Sequence, residues 1–492
     1  MPGPRSSPAG QAGIPLRPRA TPDLPLVLDR TAAEPLTAQL VGQLRDTMRA
    51  GRLAAGERLP SSRALAAALG VSRTVVTETY QQLYAEGWLD GRHGSGTFVA
   101  ALTSHPGPPP AREPPHDHAG EGARRRRSDH AMAPGGGGVV DLRPGVPWVG
   151  DLDTAAWRRA WRLAASVVPA ARSDPYGLPG LRAALADQVR RTRGIGCAVE
   201  QLLVTRGATS GLDLLAATAL RPGDRVGVEE PGYGRARSVL AARGARVVPC
   251  PVDEHGLIVD DLPGDLRIVY TTPSHQFPLG GVLPVPRRQA LVGWARRTGA
   301  LIAEDDYDSE FRYDVAPLPA LYGLDPEVVV YLGTTSKTLS PDVGVGWLVA
   351  RPDLVEEIAR RRADVNDRTA IVPQEAVRLL LERGDLDRHV RRMRAEYARR
   401  RNMITDLLGE LAPAGDSAGL HLVVRLPAAV VGPVIRDAER HGVLLDSLAR
   451  HFAGPATGSG LVIGYGGARR QEIRHGCTLI KALVDLRTRA TG

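Results

Sequence analysis

The chain has 492 residues, which suggests two or three domains, and 43% of them are hydrophobic, enough for a sizeable core. The formal net charge of +9 is compatible with a nucleic-acid partner. The three cysteines are scattered and lack metal-ligand spacing, so the sequence predicts neither structural disulfides nor a metal site. Without an apolar leader or a run as long as a membrane span, a cytoplasmic protein is expected.

The N-terminal fifth of the sequence predicts a small helical domain. Residues 1–30 contain several prolines and no periodicity, which predicts a disordered arm. From Leu36, apolar residues recur at helical spacing, and Ser61 or Ser62 can cap a second helix. Ser72 can cap a third helix, and a glycine-rich turn then separates two short apolar strands. Residues 31–100 are therefore predicted to form an α+β winged helix-turn-helix.

Polar side chains at the helix starts and in the hairpin have the chemistry of DNA contacts. The third helix presents side-chain types that reach base edges, and arginines at the second helix and in the wing suit phosphates. The alternative is a three-helix domain with ordinary solvated arginines. The predicted DNA-contacting residues are Ser61, Arg63, Ser72, Arg73, Thr74 and Arg92.

Residues 101–138 are rich in proline, glycine, histidine and charge. Such a composition cannot bury a core, so this segment is predicted to be a flexible linker. It includes four consecutive arginines, 124–127, which either contact the DNA backbone or are simply solvated.

From residue 139 onward, short apolar strands alternate with helical stretches, which predicts an α/β domain with a mainly parallel sheet. Polar loops follow several of these strands. Because ligands of such sheets collect at the carboxyl ends of the strands, the loops are expected to converge there. They are the segments 207–211, 230–235, 272–278, 304–308 and 334–337.

Lys337 follows the buried strand predicted at 328–332 and precedes a second apolar piece at 345–349. Transfer of an ammonium group out of water costs free energy, so a lysine between two buried strands needs an explanation. One reason is covalent use as a Schiff base with an aldehyde cofactor. The alternative is a surface loop in which Lys337 points into solvent.

Two further loops match such a cofactor. Asp305 can hold the proton of a heteroaromatic ring nitrogen, although segment 304–308 could instead be a solvated acidic loop or a cation site. The glycine turn 207–211 can bring backbone N–H groups and the Thr209 hydroxyl to an anion. Its alternative is a tight packing turn.

Longer segments carry a resemblance to known families. The run from Leu59 to Val99, LPSSRALAAALGVSRTVVTETYQQLYAEGWLDGRHGSGTFV, resembles the DNA-binding domain of the GntR family of bacterial regulators, which implies a dimeric reader of paired half-sites. The segments VTRGATSGLDLL, TTPSHQFPLGG, EDDYDSEFRY and YLGTTSKTL resemble fold-type I aminotransferases, in particular the aminotransferase-like domain of MocR/GabR-type regulators. The resemblance implies an α/β fold-type I aminotransferase-like domain over 139–492, with a smaller C-terminal α/β subdomain from about residue 372.

The resemblance also implies pyridoxal 5′-phosphate (PLP) as cofactor, homodimerisation, and a role for each matching residue. Lys337 would form the Schiff base, Asp305 would pair with the ring nitrogen, Tyr307 would contact the ring oxygen and Tyr233 would stack on the ring. Arg235 matches an effector-carboxylate position and His275 lines the cleft. The phosphate would be held by Ala208, Thr209, Thr334 and Ser336, together with the partner subunit's Tyr176.

Two positions depart from the family pattern. Gly344 stands where an arginine supports the phosphate, and the apolar stretch 461–465 stands where an arginine binds a substrate carboxylate. These departures favour a regulator that senses PLP or a PLP-reactive small molecule, with vitamin B6 metabolism as a candidate target. The alternatives are a catalytically active PLP-dependent aminotransferase and a regulator that no longer binds PLP.

Overall fold

The computed structural model describes residues 26–32, 35–49, 52–85, 88–92, 96–100, 139–152, 154–168, 170–313 and 319–491. The chain divides into two compact units, Met1–Leu102 and Thr103–Gly492. The predicted linker, with the arginines 124–127, and the predicted arm up to residue 25 lie outside the described residues.

The first unit contains three helices and a two-stranded antiparallel hairpin: α1 (Leu36–Arg49), α2 (Ser62–Leu69), α3 (Arg73–Ala85), β1 (Leu89–Arg92) and β2 (Gly96–Val99). Helix α3 packs against both α1 and α2, and Leu40, Leu44 and Val76 are buried between them. Ser61 caps α2, because its Oγ accepts a hydrogen bond from the Ala64 amide at 3.2 Å. The predicted winged helix-turn-helix is confirmed.

The end of the predicted arm differs from the prediction. The Gln43 side chain exchanges two hydrogen bonds with the backbone of Val27, at 2.9 and 2.6 Å. Gln39 does the same with Asp29, at 2.9 and 2.8 Å. Residues 26–30 therefore lie along α1, held by the side chains of two glutamines. A hydrophobic period in the sequence does not predict hydrogen bonds of this kind.

The second unit is built on an eight-stranded sheet in the order β4-β11-β10-β9-β8-β5-β6-β7. Strands β10, β9, β8, β5 and β6 run parallel, whereas β11 and β7 are antiparallel to their neighbours. The sheet is mixed and mostly parallel, as predicted. Its strands are β4 (Leu202–Thr205), β5 (Arg225–Glu230), β6 (Arg246–Asp253), β7 (Gly256–Leu257), β8 (Ile268–Thr271), β9 (Leu301–Asp306), β10 (Val329–Thr334) and β11 (Gly346–Val349); β3 (Val140–Asp141) precedes them.

Helices cover the large sheet and continue into the C-terminal part of the unit. They are α4 (Ala155–Ala165), α5 (Pro179–Arg193), α6 (Ala208–Ala219), α7 (Gly234–Ala242), α8 (Val285–Thr298), α9 (Pro352–Asp364), α10 (Ile371–Glu382), α11 (Asp385–Leu408), α12 (Ala428–Arg440) and α13 (Arg470–Thr491). Single 3-10 turns lie at Val199–Gln201, Val259–Asp261, Ser309–Phe311, Leu321–Leu324, Pro341–Val343, Gly409–Leu411 and Leu448–His451. Among the described helices, none is both long enough and apolar enough to span a membrane.

A smaller subdomain has its own core and a three-stranded sheet in the order β12-β15-β14, where β12 is His421–Arg425, β14 is Asp446–Ser447 and β15 is Gly460–Gly464. Its composition differs from the predicted span 372–492. Helix α10 packs on α4 and α5 beside the large sheet, whereas β3 pairs with β13 (Val443–Leu444). Val140 and Leu142 join the smaller core for that reason. A local sequence pattern cannot predict the pairing of two strands that are three hundred residues apart.

Candidate functional site

The sheet register brings Asp305 and Lys337 to one edge. Strands β9 and β10 are parallel neighbours in which Asp305 lies beside Leu332. Both strands therefore end at the same edge of the sheet, with Asp305 at the end of β9 and Lys337 in the loop after β10. The predicted convergence of these two loops is what the structure shows.

The Lys337 side chain points into the protein. Its Nζ donates a hydrogen bond to the Gly145 carbonyl at 2.6 Å. Burial lowers the pKa of Lys337, whereas the carboxylates of Asp308 and Asp305 raise it and Arg235 lowers it further. Lys337 is half-buried, and the alternative of a lysine that points freely into solvent does not match a side chain whose Nζ is bonded to a backbone carbonyl 192 positions away.

Asp305 presents one engaged and one free carboxylate oxygen. Tyr270 donates its hydroxyl hydrogen bond to Oδ2, whereas Oδ1 is buried without a hydrogen-bond partner. Burial raises the pKa of Asp305 to about 7, and the Tyr270 bond opposes that shift. A buried acceptor without a donor is costly, so this oxygen suits a ligand that brings its own N–H group.

Small residues lie beside the loop that carries Lys337. Gly207, with φ of 113°, precedes α6, and a Cβ on it would lie 3.6 Å from the Thr334 hydroxyl. Thr334 and Ser336 hydroxyls are 2.9 Å apart, and the Ser336 amide donates to Thr334 Oγ1 at 3.1 Å. A Cβ on Gly346 would lie 2.5 Å from the Gly207 Cα. The glycine turn is thus a tight packing turn, and it also places the N-terminus of α6, with Ala208 and Thr209, next to two hydroxyls.

His275 joins a second group of polar side chains, with 2% of its side chain exposed. Its Nδ1 is 2.9 Å from Asp308 Oδ2, and since a carboxylate only accepts, the imidazole N–H donates. Its Nε2 is buried without a partner. The Tyr307 hydroxyl donates to the His275 carbonyl at 3.0 Å and lies equally close to Nδ1. The Tyr307 hydroxyl is thus bound to His275, and its predicted contact with a cofactor oxygen stays a prediction.

His421 completes this group from β12. Its ring lies 5.0 Å from that of His275, and one ligand atom from each of His275, Asp308 and His421 lies within 4.8 Å of the others. His421 Nε2 donates to the Pro278 carbonyl at 3.1 Å. Burial lowers the pKa of His421 well below its ordinary value, so this imidazole is neutral.

Aromatic side chains line the same region. Tyr233 meets Phe277 edge to face, with ring centroids 5.9 Å apart, and burial raises the pKa of the Tyr233 hydroxyl. Arg235 is exposed in the first turn of α7. Tyr176 lies just before α5, and the Arg182 guanidinium lies over its ring at 5.2 Å. Its predicted phosphate contact is made to a partner subunit and stays a prediction.

The two departures from the family pattern occupy defined places. Gly344, with φ of 60°, ends the short helix Pro341–Val343, and no described atom lies within 4 Å of a Cβ built there. Residues 461–465 are buried, and β15 is the central strand of the small sheet. The Tyr465 hydroxyl donates to the Gly419 carbonyl at 2.8 Å. That stretch of the small sheet therefore has a structural role.

In the first unit, five of the six predicted DNA-contacting residues are described with their side chains. Four of them, Ser61, Arg63, Ser72 and Thr74, are exposed at the starts of α2 and α3. Arg73 is exposed as well, and its Nε lies 3.4 Å from Ser62 Oγ. Arg92 lies in β1, but its side chain is outside the described residues.

Four residues near Lys337 were not singled out from the sequence. Asp308 had been treated only as part of an acidic loop, whereas Tyr270, His421 and Gly145 had not been considered. A polar residue inside an apolar strand was an available signal for Tyr270 and His421. Gly145 had none, because its contact with Lys337 spans 192 positions.

Comparison with known proteins agrees with this architecture. Residues 36–99 match the family "Bacterial regulatory proteins, gntR family", and residues 149–450 match "Aminotransferase class I and II". The chain is 36% identical to the HTH-type pyridoxine biosynthesis transcriptional regulator PdxR of Corynebacterium glutamicum, covering 92% of this chain and 96% of that protein. It is 35% identical to the probable rhizopine catabolism regulatory protein MocR of Rhizobium meliloti, covering 93% and 95%.

Solved structures match the second unit. An archaeal alanine:glyoxylate aminotransferase superposes with a TM-score of 0.67 at 23% identity, covering 72% of this chain and 92% of that one. At this identity the likeness establishes the fold. Together, the two matched families and the near full-length relatives show that the chain belongs to the MocR/GabR-type transcriptional regulators, in which a GntR-family DNA-binding domain precedes an aminotransferase class I and II domain.

Proposed function

We propose that this protein is a dimeric transcriptional regulator that binds paired DNA half-sites and senses PLP at Lys337. The observation that carries the proposal is the placement of the Lys337 amine and the unpartnered Asp305 Oδ1 at one sheet edge. The name of the relative PdxR, a pyridoxine biosynthesis regulator, supports PLP as the effector.

The residues at this edge fit PLP group by group. Asp305 would hold the ring nitrogen, because its Oδ1 is buried and lacks a donor. Thr334 and Ser336 would bind the phosphate with the first turn of α6, where unpaired backbone N–H groups favour an anion. When bound, PLP supplies an aldehyde for a lysine amine and an electron-withdrawing ring.

The residues around Lys337 favour reaction of its amine with an aldehyde. Burial shifts the balance toward the neutral amine, which is the nucleophilic form. Gly145 accepts a hydrogen bond from Nζ and so directs the side chain. Tyr233 would stack on the ring, as the resemblance implies.

One feature of the small sheet favours ligand sensing over catalytic turnover of a substrate. Residues 461–465, where the family resemblance places a carboxylate-binding arginine, are apolar and buried in β15 and just after it. Arg235 is exposed beside the site and is the candidate for an effector carboxylate. The fold match to aminotransferases supports the competing proposal of an active enzyme. Steady product formation from an amino acid and a keto acid would favour that alternative.

A titration of the purified protein with PLP tests the proposal. We expect the visible absorbance of a lysine-bound aldehyde and a PLP-dependent change in the footprint on the protein's own upstream region. If added PLP produces neither the absorbance nor a change in the footprint, the sensing proposal is wrong.

Replacing Arg73 by alanine is expected to weaken operator binding by about 1–3 kcal/mol if the guanidinium reads a base edge. The residue is exposed in the first turn of α3, where recognition helices contact bases. A quantitative gel shift measures the loss. Arg52→Ala, an exposed arginine outside α2 and α3, is the matched control and should bind nearly as wild type. Equal losses for the two variants would remove the base-reading role from Arg73.

A further inference from the structure

The chain after β5 carries two residues that are predicted to meet the ligand. Tyr233 is predicted to stack on the cofactor ring and Arg235 to bind an effector carboxylate. Both lie in residues 230–237, which comprise the loop after β5 and the first turn of α7 and which we call the Tyr233 segment. A ligand binds more tightly to contact groups that are already held in place, so the contacts that fix this segment bear on the ligand site.

The Tyr233 segment is joined to the small subdomain by one carboxylate. Glu230 Oε1 accepts a hydrogen bond from the Ala453 amide at 2.5 Å and lies 3.3 Å from the Gly454 amide, which also donates to it. Both amides lie in segment 451–454, between the short helix Leu448–His451 and β15. The Glu230 side chain is only 14% exposed, and a charged acceptor makes a stronger hydrogen bond than a neutral one. A side chain beside the large sheet therefore holds two backbone groups of the small subdomain.

Arg237 holds the same segment from the first turn of α7. Its Nη1 donates to the His451 carbonyl at 3.0 Å and lies 3.4 Å from the Glu230 carboxylate. The Gly232 amide donates to the same His451 carbonyl, also at 3.0 Å. One carbonyl of the small subdomain thus accepts two hydrogen bonds from the Tyr233 segment.

Aromatic packing joins the two segments as well. The Phe277 ring meets Tyr233 edge to face at 5.9 Å between centroids, and it meets His451 in the same way at 5.0 Å. The next residue, Phe452, packs against a buried cluster of the small subdomain, Val423, Leu448 and Val462. Segment 451–454 is therefore anchored on its own side and can serve as a fixed support for the Tyr233 segment.

We propose that Glu230 and Arg237 are positioning residues of the ligand site, which hold the Tyr233 segment against segment 451–454 of the small subdomain. They act through the backbone on Tyr233 and Arg235, the residues that would touch the ligand. The inference rests on the proposed function and deepens it. It gives the small subdomain a part in ligand binding that does not require an arginine in β15.

Hydrogen exchange of the full-length protein, measured without PLP, tests the contact between the two segments. Glu230→Leu removes the acceptor at similar side-chain size. We expect exchange at the Ala453 and Gly454 amides to become faster by about tenfold or more, because hydrogen bonds to a charged group are lost. Exchange in the Tyr233 segment should become faster as well, whereas peptides from the rest of the second unit should keep wild-type rates.

Two further variants serve as controls. Glu230→Gln keeps an oxygen that can accept both hydrogen bonds, so it should restore most of the protection from exchange. Arg243→Ala breaks an ion pair between the end of α7 and Asp213, away from segment 451–454, and should leave both segments unchanged. Wild-type exchange in Glu230→Leu, or an equal acceleration in every peptide of the unit, would overturn the proposal. If Glu230→Leu does not fold, the same criteria apply to Arg237→Met, which removes a donor to the His451 carbonyl.

A PLP titration of the same variants connects the contact with the ligand. Glu230→Leu should raise the PLP concentration at half-maximal absorbance by about three- to tenfold, because the ligand must then order a segment that the wild type holds in place. At saturating PLP the adduct should still form on Lys337, whose loop is unchanged. An unaltered half-maximal concentration in a variant whose two segments exchange faster would show that the contact does not position the ligand site.

The two measurements separate this inference from the proposed function. A wild-type protein that shows no absorbance with PLP contradicts PLP sensing, and the exchange rates then decide by themselves whether Glu230 and Arg237 hold the Tyr233 segment. A wild-type protein that captures PLP, with wild-type exchange in Glu230→Leu, contradicts only the positioning role.

Discussion

Lys337→Ala is expected to abolish covalent capture of PLP. The sequence contains one other lysine, Lys481. It lies on α13 beside Glu410 and not in the loop after β10, so it is not expected to replace the lost nucleophile. After incubation with PLP and borohydride reduction, peptide mass spectrometry should find the pyridoxyl adduct on Lys337 in the wild type and no adduct at this edge in the variant.

The control for this experiment is Lys481→Ala. This variant should retain the full adduct and the visible absorbance. The Lys337→Ala protein should still bind operator DNA, because the first unit has its own core and carries the residues predicted to contact DNA. Its binding should no longer respond to PLP. A wild-type adduct found only on Lys481 would contradict the assignment of Lys337.

Asp306→Ala is expected to lower the free energy of unfolding by about 3–5 kcal/mol. The Asp306 carboxylate lies 2.6 Å from the Arg193 guanidinium, and each side chain is 2% exposed. The Tyr331 hydroxyl donates to the same carboxylate at 2.6 Å, and Arg193 also donates to Ser274 at 2.8 Å. Removing the carboxylate breaks a buried ion pair by taking away one partner, which is the costly change for such a pair.

Denaturant unfolding followed by circular dichroism measures this loss. The control is Asp265→Ala, which breaks an ion pair with Arg225 on the protein surface. Solvent screens such a pair, so no measurable change in stability is expected. Comparable losses in the two variants would show that the buried pair contributes no more than a surface one.

Much of the local structure of this protein follows from local sequence. Helix α1 matches the spacing of Leu36, Leu40 and Leu44, and the N-cap of α2 is one of the two serines predicted. Strand β10 and the loop bearing Lys337 follow from a β-branched apolar run that ends at a glycine. These features could be predicted because backbone preference and hydrophobic period act over a few residues.

The surroundings of Lys337 could be predicted only in part. That Asp305 and Lys337 meet was predictable, because parallel strands share a carboxyl edge. The partners of these residues were not predictable in the same way: Tyr270 binds Asp305 from the next strand, and His275 binds Asp308 from the loop after it. Each partner depends on which strands are neighbours.

The most distant contacts were decided by tertiary structure alone. Residues 139–148 were expected to open the large domain, yet β3 pairs with β13 of the small subdomain and Gly145 accepts a bond from Lys337. The pKa values of Lys337 and Asp305 belong to the same category, because burial sets them and burial is a property of the whole fold. The sequence by itself determined the chemical groups and the helices, strands and loops that carry them. The packing of distant segments determined which groups are partners and how each is charged, because hydrogen bonds and desolvation depend on proximity in space and not along the chain.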